Sequence, residues 1–258
     1  MKTEHRAKQK ATSHSSKVLV PNCDFITNES YKAIRTNILH LLKDYDSRII
    51  LITSPYASAG KTTSTANLAI TFSQLGQKVL VIDADMRKSA LHRLFAMPSS
   101  PGLSNVLTGE NHSDIIRKTT YDNLYLLPAG NVPQNPSELL HSERFSELLK
   151  TLSSEYDCIF IDTPPVDAVT DAVIISQQST GTVLVIRQNS TEKDALMRTV
   201  NTLNNVKANI LGYILNAVDY DKFSYKYGHY YGRYGGKYSS RYYSYSTDNT
   251  ERNTHEEE

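Results

Sequence analysis

A short loop near the start of the chain carries residue types that bind phosphate. Positions 54–63 read SPYASAGKTT and stand between an apolar run and a helical pattern. In such a loop the backbone N–H groups and the positive end of a helix dipole face phosphate oxygens, a lysine adds a charge, and the next hydroxyl binds Mg²⁺. Pro55 departs from the strict G-x-x-x-x-G-K-[ST] pattern, which has glycine there. The predicted phosphate-binding residues are Ala57, Ser58, Ala59, Gly60, Lys61, Thr62 and Thr63.

Three aspartates stand where buried strands would end. Asp83 and Asp85 follow KVLVI, and Asp162 follows CIFI. Ligands of open parallel sheets bind outside the carboxyl ends of the strands, so these carboxylates are expected to gather beside Lys61. Grouped carboxylates repel one another unless a cation lies between them. The pattern therefore predicts a site for ATP and Mg²⁺, with Thr62, Asp85 and Asp162 as the candidate metal ligands.

A cluster of tyrosines near the end of the chain supplies phenol hydroxyls as candidate phosphate acceptors. Positions 220–245 hold ten of the 17 tyrosines, among Gly, Ser, Lys and Arg. The segment has too little apolar surface to offset roughly 1–2 kcal/mol of backbone entropy per residue, so it is expected to be disordered. Its basic residues outnumber Asp221, which favours docking at an acidic, ATP-loaded site. The candidate acceptors are Tyr225, Tyr227, Tyr230, Tyr231, Tyr234, Tyr238, Tyr242, Tyr243 and Tyr245.

Apolar runs rich in β-branched residues alternate with helical patterns along the chain. Continuous hydrophobicity indicates strands buried on both faces, and the segments between them have the length of crossover helices. The predicted strands are 48–54, 78–84, 123–129, 158–163, 181–187 and 210–218, and the predicted helices are 29–43, 61–75, 138–153, 166–177 and 191–204. With the phosphate loop, this order predicts an α/β fold: a doubly wound, mainly parallel sheet of P-loop NTPase type with helices on both faces.

Two of these helices carry specific local signals. Asn135, Pro136 and Glu138 predict a helix start, with asparagine as N-cap, proline at the first helical position and glutamate completing a capping-box-like arrangement. The helix 29–43 is expected to pack on the flank of the sheet. The side chains that share its apolar face are Ile34, Ile38, Leu41 and Leu42.

Length and composition limit the classes of protein that this chain can be. Its 258 residues suffice for one buried α/β domain (25–219) between a disordered leader (1–24) and the tyrosine-rich tail (220–258). A net charge of +1 gives no general case for nucleic-acid binding. The leader is locally basic, which is compatible with a solvated segment or with a membrane-surface contact.

Cysteine usage and hydropathy favour a cytoplasmic protein. Cys23 and Cys158 are too few for a disulfide framework, and Cys158 lies in an apolar run where a cysteine is usually a small buried hydrophobe. No apolar run approaches the roughly 18 residues that span a bilayer, and the N-terminus lacks the apolar centre of a signal peptide. Any membrane association is therefore expected to depend on a partner.

Taken together, these motifs resemble the bacterial tyrosine kinase (BY-kinase) family over residues 25–245. The resemblance rests on the loop ending in Gly60, Lys61 and Thr62, on Asp-x-Asp-x-Arg at 83–87, and on Asp162 with its following prolines. The stretches LHRLF, GLSNVLTG, NPSELL and DTPPVDAVTDA and the tyrosine tail support it. It implies an ATP- and Mg²⁺-dependent autokinase that regulates capsule or exopolysaccharide synthesis.

The resemblance also implies partners. Family members form an octameric ring in which each tail enters a neighbouring active site. A transmembrane adaptor of the polysaccharide co-polymerase type activates such kinases and recruits them to the inner face of the plasma membrane, and a cognate tyrosine phosphatase is expected. None of these partners is a nucleic acid.

The resemblance further assigns roles to individual residues. Asp83 is expected to orient the tyrosine hydroxyl and take its proton, and it forms the catalytic group together with Lys61, Asp85 and Arg87. Arg87 either steadies the transferred charge or pairs with a neighbouring aspartate. Asn216, just past the last strand, is either a contact to the nucleotide base or an ordinary turn residue.

A ring-forming element of the family is similar to Glu29, Lys32 and Arg35, which stand three residues apart on one helix face. Lys32 occupies a position where arginine is usual. Lysine lacks the planar bidentate fork, so a carboxylate contact there is expected to be weaker and less directional. A solvated charged surface is the alternative for this face.

Two other classes of function share parts of the pattern. A partner-switching ATPase would have the same phosphate loop, but Tyr56 occupies the position of the extra lysine usual in that class. A nucleic-acid or self-association segment would share the Tyr/Gly/Arg composition of the tail, but the arginine density and the overall charge are low.

Overall fold

The strands predicted from continuous apolar runs lie together in one sheet. The computed structural model describes residues 25–110 and 114–218. Its strands are β1 (Ile49–Thr53), β2 (Val79–Asp83), β3 (Arg117–Lys118), β4 (Leu124–Leu127), β5 (Cys158–Asp162), β6 (Gly181–Arg187) and β7 (Ile210–Asn216). Within the described residues the order across the sheet is β3-β4-β2-β5-β1-β6-β7. Neighbouring strands are parallel, except that β3 and β4 are antiparallel.

Helices connect the strands and cover both faces of the sheet. They are α1 (Phe25–Leu41), α2 (Lys61–Ser73), α3 (Leu91–Leu94), α4 (Leu103–Leu107), α5 (Pro136–His141), α6 (Glu143–Glu155), α7 (Asp171–Ser176) and α8 (Lys193–Asn205). Consecutive strand residues point to opposite faces. Ile50 and Ile52 pack against α1 and α2 on one face, whereas Ile49 and Leu51 point to the other face, where α4, α5, α6 and α7 pack. The predicted doubly wound, mainly parallel sheet is confirmed.

The strand register brings the predicted chemistry to one edge of the sheet. β5 lies between β1 and β2, and Asp162 pairs with Asp83 on one side and with Ile52 on the other. The phosphate loop starts just after β1, so it begins next to both carboxylates. The carboxyl ends of three central strands therefore form one group, as the rule for open parallel sheets predicts.

Two of the predicted helices differ from the structure in their extent. The helix predicted at 138–153 is broken at Ser142, whose hydroxyl caps α6 by accepting a hydrogen bond from the Phe145 N–H at 3.4 Å. The helix predicted at 166–177 begins only at Asp171, because turns follow Pro164 and Pro165. A proline restricts its own φ and disfavours helix in the residue before it, so this delay has a simple cause.

The helix starts also need correction in detail. α5 begins at Pro136 as predicted, but Asn135 makes no side-chain cap to the backbone; its amide donates to the carboxylate of Glu138 instead. In α1, Leu41 is 50% exposed, while the next residue, Leu42, is fully buried. The predicted apolar face therefore holds for Ile38 and Leu42 and is wrong for Leu41.

None of the helices among the described residues has the length and apolar character needed to cross a membrane. Cys158 is a buried free thiol, as predicted, and burial raises its pKa above the usual thiol range. The predicted leader (1–24) and nearly all of the segment beyond β7, including every candidate acceptor tyrosine, lie outside the described residues.

Candidate nucleotide and phosphoryl-transfer site

The backbone of the phosphate loop is held by side chains from the last residues of β6 and β7. Gly60, which precedes α2, has φ +96°, and a Cβ at this position would lie 2.0 Å from Nδ2 of Asn216. That amide nitrogen donates to the carbonyl oxygen of Ala59 at 2.8 Å. Arg187, the last residue of β6, donates through Nη1 to the carbonyl oxygen of Ser58 at 3.3 Å. The ends of β6 and β7 therefore fix the loop backbone.

Lys61 lies at the centre of the predicted carboxylate group. Its Nζ is 3.1 Å from Oδ2 of Asp85 and 3.9 Å from Oδ2 of Asp162, and it donates to Oγ1 of Thr62 at 3.4 Å. Burial opposes the charge on the ammonium group, but the carboxylates of Asp162 and Asp85 outweigh it and raise the pKa of Lys61. Lys61 is therefore a fixed positive charge at the mouth of the phosphate loop.

Asp162 has one oxygen atom that makes no hydrogen bond among the described residues, although the Lys61 ammonium lies 3.9 Å from it. Oδ1 accepts a hydrogen bond from Oγ1 of Thr65 at 3.3 Å, whereas the buried Oδ2 has no hydrogen-bond partner among the described residues. Burial raises the pKa of Asp162, and the charge of Lys61 opposes that shift. A buried carboxylate oxygen without a donor is unfavourable for the protein alone and suits a cation or its bound water.

Asp83 is held more tightly than its neighbours. Its Oδ1 accepts the backbone N–H of Asp85 at 3.2 Å, and its Oδ2 accepts those of Ala90 and Leu91, both at 3.1 Å. The side chain is fully buried. Burial, followed by the repulsion of Asp162, raises the pKa of Asp83 to about 8. These bonds fix the turn between β2 and α3 around the Asp83 carboxyl.

Arg87 pairs with an aspartate on another element. Its Nε lies 3.3 Å from Oδ2 of the buried Asp171, and its Nη2 donates to Oγ of Ser137 at 3.0 Å. Ser137 in turn donates to Oδ1 of Asp171 at 2.5 Å. We call these three residues the arginine clamp. Of the two alternatives for Arg87, the structure contains the pairing with an aspartate.

Comparison with known proteins places this arrangement in a family. Residues 47–213 match the family model described as an AAA domain. The chain is 38% identical over 200 residues to the tyrosine-protein kinase YwqD of Bacillus subtilis strain 168, which covers 77% of this chain and 84% of that protein. The chain belongs to the bacterial tyrosine kinase family. The resemblance inferred from its motifs is confirmed.

Solved structures support the family and the fold. The kinase domain of the Escherichia coli tyrosine kinase ETK superposes with a TM-score of 0.72 at 33% identity, covering 74% of this chain and 75% of that one. The septum site-determining protein MinD of Pyrococcus horikoshii, solved with Mg-ADP, superposes with a TM-score of 0.57 at 31% identity over 67% of this chain and 71% of that one. The family member described here therefore has a P-loop NTPase fold.

The oxygen atoms at this site suit Mg²⁺, but they do not form a complete metal site by themselves. Thr62, Asp85 and Asp162 supply the hard oxygen atoms that Mg²⁺ prefers, and Asp162 Oδ2 accepts no hydrogen bond from the part of the chain that the structure describes. Within the described residues no three acidic, histidine or cysteine side chains form a metal-binding group by themselves. The ion would therefore need phosphate oxygens and water in addition, as is usual for Mg²⁺ in kinase sites.

The predicted ring-forming residues of the kinase already have partners within the chain. Lys32 Nζ forms an ion pair with Oε1 of Glu29 at 2.7 Å on the exposed side of α1. Arg35 donates through Nη1 to the carbonyl oxygen of Thr71 at 2.6 Å and so ties α1 to α2. A role of these residues between subunits stays a prediction.

Several residues around the site were missed in the sequence. Thr65 lies one turn after Thr62 in the run KTTST, and Arg187 closes the apolar run GTVLVIR, so both stood in quoted stretches without a role. Ser137 and Asp171 stood in NPSELL and DTPPVDAVTDA. Asn216 was predicted, but its amide nitrogen contacts the loop backbone, and contact with a nucleotide base stays a prediction.

Proposed function

We propose that the chain is an ATP-dependent protein-tyrosine autokinase that phosphorylates the tyrosine cluster of its own C-terminal tail. The observation that carries the proposal is the gathering of Lys61, Asp85 and Asp162 at the phosphate loop of a tyrosine-kinase family member. The same polypeptide carries a dense set of tyrosine acceptors. Donor site and acceptor are thus encoded together.

Lys61 and the loop backbone would hold the β and γ phosphates of ATP. Phosphoryl transfer needs little covalent help from a protein, because its transition state is loose and catalysis consists of alignment and charge neutralisation. Lys61 is already charged and fixed by carboxylates, so little reorganisation is needed to receive a phosphate. Thr62, Asp85 and Asp162 would hold Mg²⁺, which neutralises phosphate charge when it is bound.

Asp83 is proposed to orient the acceptor phenol and to take its proton, in the state in which bound Mg²⁺ would offset the raised pKa of this carboxyl and favour its ionised form. Its pairing in register with Asp162 places it in the same group of carboxylates as the proposed metal ligands. Both of its oxygens accept backbone N–H groups, so a phenol would have to share an oxygen with them. The proton can leave late, after charge on the phenol oxygen has moved toward phosphorus.

The partners follow from family membership and are part of the proposal. We propose a ring-like homo-oligomer, with the tail of one subunit entering the site of a neighbour, and a transmembrane adaptor of the polysaccharide co-polymerase type that brings the kinase to the inner face of the plasma membrane. A cognate tyrosine phosphatase would reverse the reaction. The process under control would be capsule or exopolysaccharide synthesis.

The test is transfer of labelled phosphate from ATP in the presence of Mg²⁺ and the cytosolic segment of the adaptor. Label should appear on tail tyrosines, and Lys61→Met should reduce it to background because the charge that holds the phosphates is gone. Lys150→Met, which removes an exposed lysine from α6, should behave as the unaltered protein. Tyrosine labelling that survives Lys61→Met would contradict the proposal.

A partner-switching ATPase is the second candidate, and the similarity to MinD favours it. The two functions share the phosphate loop and differ in the fate of the γ-phosphate. Release of free phosphate without labelled tyrosine would support the ATPase. Tyr56, at the position of the extra lysine of that class, argues for the kinase.

A further inference from the structure

A buried carboxylate next to the site has no role in the reaction described so far. Asp171 begins α7, and 0% of its side chain is exposed. Both of its oxygens are occupied, Oδ1 by Ser137 Oγ and Oδ2 by Arg87 Nε. A buried carboxylate is strongly unfavourable unless a cation and hydrogen-bond donors surround it. The arginine clamp supplies both.

The clamp fixes Arg87 without using the whole guanidinium group. Nε and Nη2 are engaged by Asp171 and Ser137, whereas Nη1 makes no hydrogen bond within the part of the chain that the structure describes. The Arg87 side chain remains 39% exposed. One donor nitrogen is therefore held in a fixed direction and stays available to a ligand.

The same short loop carries the aspartates of the proposed reaction. Asp85 Oδ1 accepts the backbone N–H of Lys88 at 3.0 Å, and Asp83 Oδ2 accepts those of Ala90 and Leu91. These bonds order the loop from within. Besides the Lys61–Asp85 contact, the clamp ties the loop outward, to α5 through Ser137 and to α7 through Asp171.

We propose that Asp171, assisted by Ser137, is a positioning residue for phosphoryl transfer. It orients Arg87 so that Nη1 can stabilise the charge of the transferring phosphoryl group, and it holds the loop of Asp83 and Asp85 against α5 and α7. The inference rests on the proposed kinase function. Preorganised donors act where charge develops, and small displacements of such groups slow a reaction strongly.

The test is the rate of tail phosphorylation by the full chain at saturating ATP. Asp171→Asn keeps the shape of the side chain and removes its charge, so the rate constant should fall about 10- to 100-fold. The affinity for a non-hydrolysable ATP analogue should change less than about twofold, because Lys61 and the loop are untouched. Ser137→Ala should give the same pattern at smaller size.

Two controls separate positioning from general damage. Asp167→Asn breaks another Asp–Arg pair, the exposed Asp167–Arg198 contact at 3.3 Å, and should leave the rate unchanged. Lys150→Ala removes an exposed positive charge from α6 and should also leave it unchanged. The thermal unfolding midpoints of all variants should be compared. If Asp171→Asn does not fold, the rate of tail phosphorylation by Ser137→Ala still tests the inference.

A double variant decides whether Asp171 acts through Arg87. On an Arg87→Ala background, Asp171→Asn should cause no further loss of rate, because the residue that it positions is gone. If Asp171→Asn lowers the rate by the same factor with Arg87→Ala as it does with Arg87 present, the inference is overturned. An unaltered rate in both Asp171→Asn and Ser137→Ala would also overturn it. Absence of phosphotyrosine in the unaltered protein would instead remove the kinase function on which it rests.

Discussion

Gly60 satisfies two independent constraints in the phosphate loop. Its φ of +96° lies in a region that residues with a Cβ rarely adopt, and the space that a Cβ would fill is occupied by the Asn216 amide at 2.0 Å. The first constraint comes from the local chain and the second from the end of the last strand. Both point to glycine as the residue that lets loop and strand approach each other.

We expect Gly60→Ala to weaken nucleotide binding. Gly76 serves as the matched control, since its φ is +80° but nothing lies within 4 Å of a built Cβ. Gly76→Ala should cost about 1–2 kcal/mol of stability through backbone strain alone. Gly60→Ala should cost a further 1–3 kcal/mol or so from the clash and lower the affinity for an ATP analogue about tenfold or more. Denaturant unfolding and calorimetric titration measure both; equal effects of the two changes would contradict this account.

The individual residues that could be predicted are those that sequence rules place at strand ends. Asp85 and Asp162 were predicted because each lies at or just beyond a continuous apolar run, whereas Lys61 was predicted from the phosphate-loop motif; the structure brings both carboxylates within 4 Å of the Lys61 ammonium. Asp171 could not be paired with Arg87 from sequence, because they are 84 residues apart and the helix containing Asp171 was predicted to start earlier. Pairings between distant loops depend on the fold itself.

The first helix shows that helical periodicity stops predicting which side chains are buried where the helix ends. A period of 3.6 residues places Leu41 and Leu42 near one face, but α1 ends at Leu41 and the chain turns there. Leu42 enters the core between α1 and the sheet, and Leu41 stays half-exposed. The packing of α1 therefore depends on one of two adjacent leucines.

These two leucines make a matched pair for measuring how α1 is docked. Leu42→Ala should reduce the free energy of unfolding by about 2–5 kcal/mol, because it leaves a cavity in the core. Leu41→Ala should change it by less than about 1 kcal/mol, since half of the side chain already contacts water. Urea unfolding followed by circular dichroism gives both values. Similar losses for the two variants would show that α1 packs through a different face.

Elements with strong periodic signals were predicted well, and short ones were not. All six predicted strands exist, and the central ones are continuous apolar runs buried on both faces. The edge strand β7 was also predicted, but it is not buried on both faces, since Tyr213 and Leu215 are about half exposed. β3 was missed since it has two residues, Arg117 and Lys118, and no apolar signal. The break at Ser142 was missed because helical periodicity continues across it, although a serine followed by Glu143 is a recognisable helix start.

At the scale of the whole molecule, donor site and acceptors occupy different parts of one chain. The described domain ends with β7, and the candidate acceptors follow it. Transfer between subunits can be distinguished from transfer within one chain by placing the active site and the tail tyrosines on separate molecules. A chain ending at Val218 keeps every described residue of the site and has none of the tail tyrosines.

We expect such a truncated chain to phosphorylate the tail of a full-length Lys61→Met partner. The truncated chain has the active site, and the partner has only acceptors, so label on the partner requires transfer between molecules. Labelled ATP, Mg²⁺ and separation by mass provide the measurement. One control is the full-length Lys61→Met partner alone. The second control is the same partner mixed with a truncated chain that also carries Lys61→Met. Lack of label in the mixture, with unaltered analogue affinity of the truncated chain, would indicate transfer within one chain.

The bond from Asn216 to the Ala59 carbonyl joins residues 157 positions apart. A ribosome makes the phosphate loop early and this asparagine late, because it is the last residue of the seventh strand. A nascent chain therefore has the loop sequence long before it has the support that fixes the loop backbone. We therefore expect the loop to become competent to bind nucleotide only when the domain is complete.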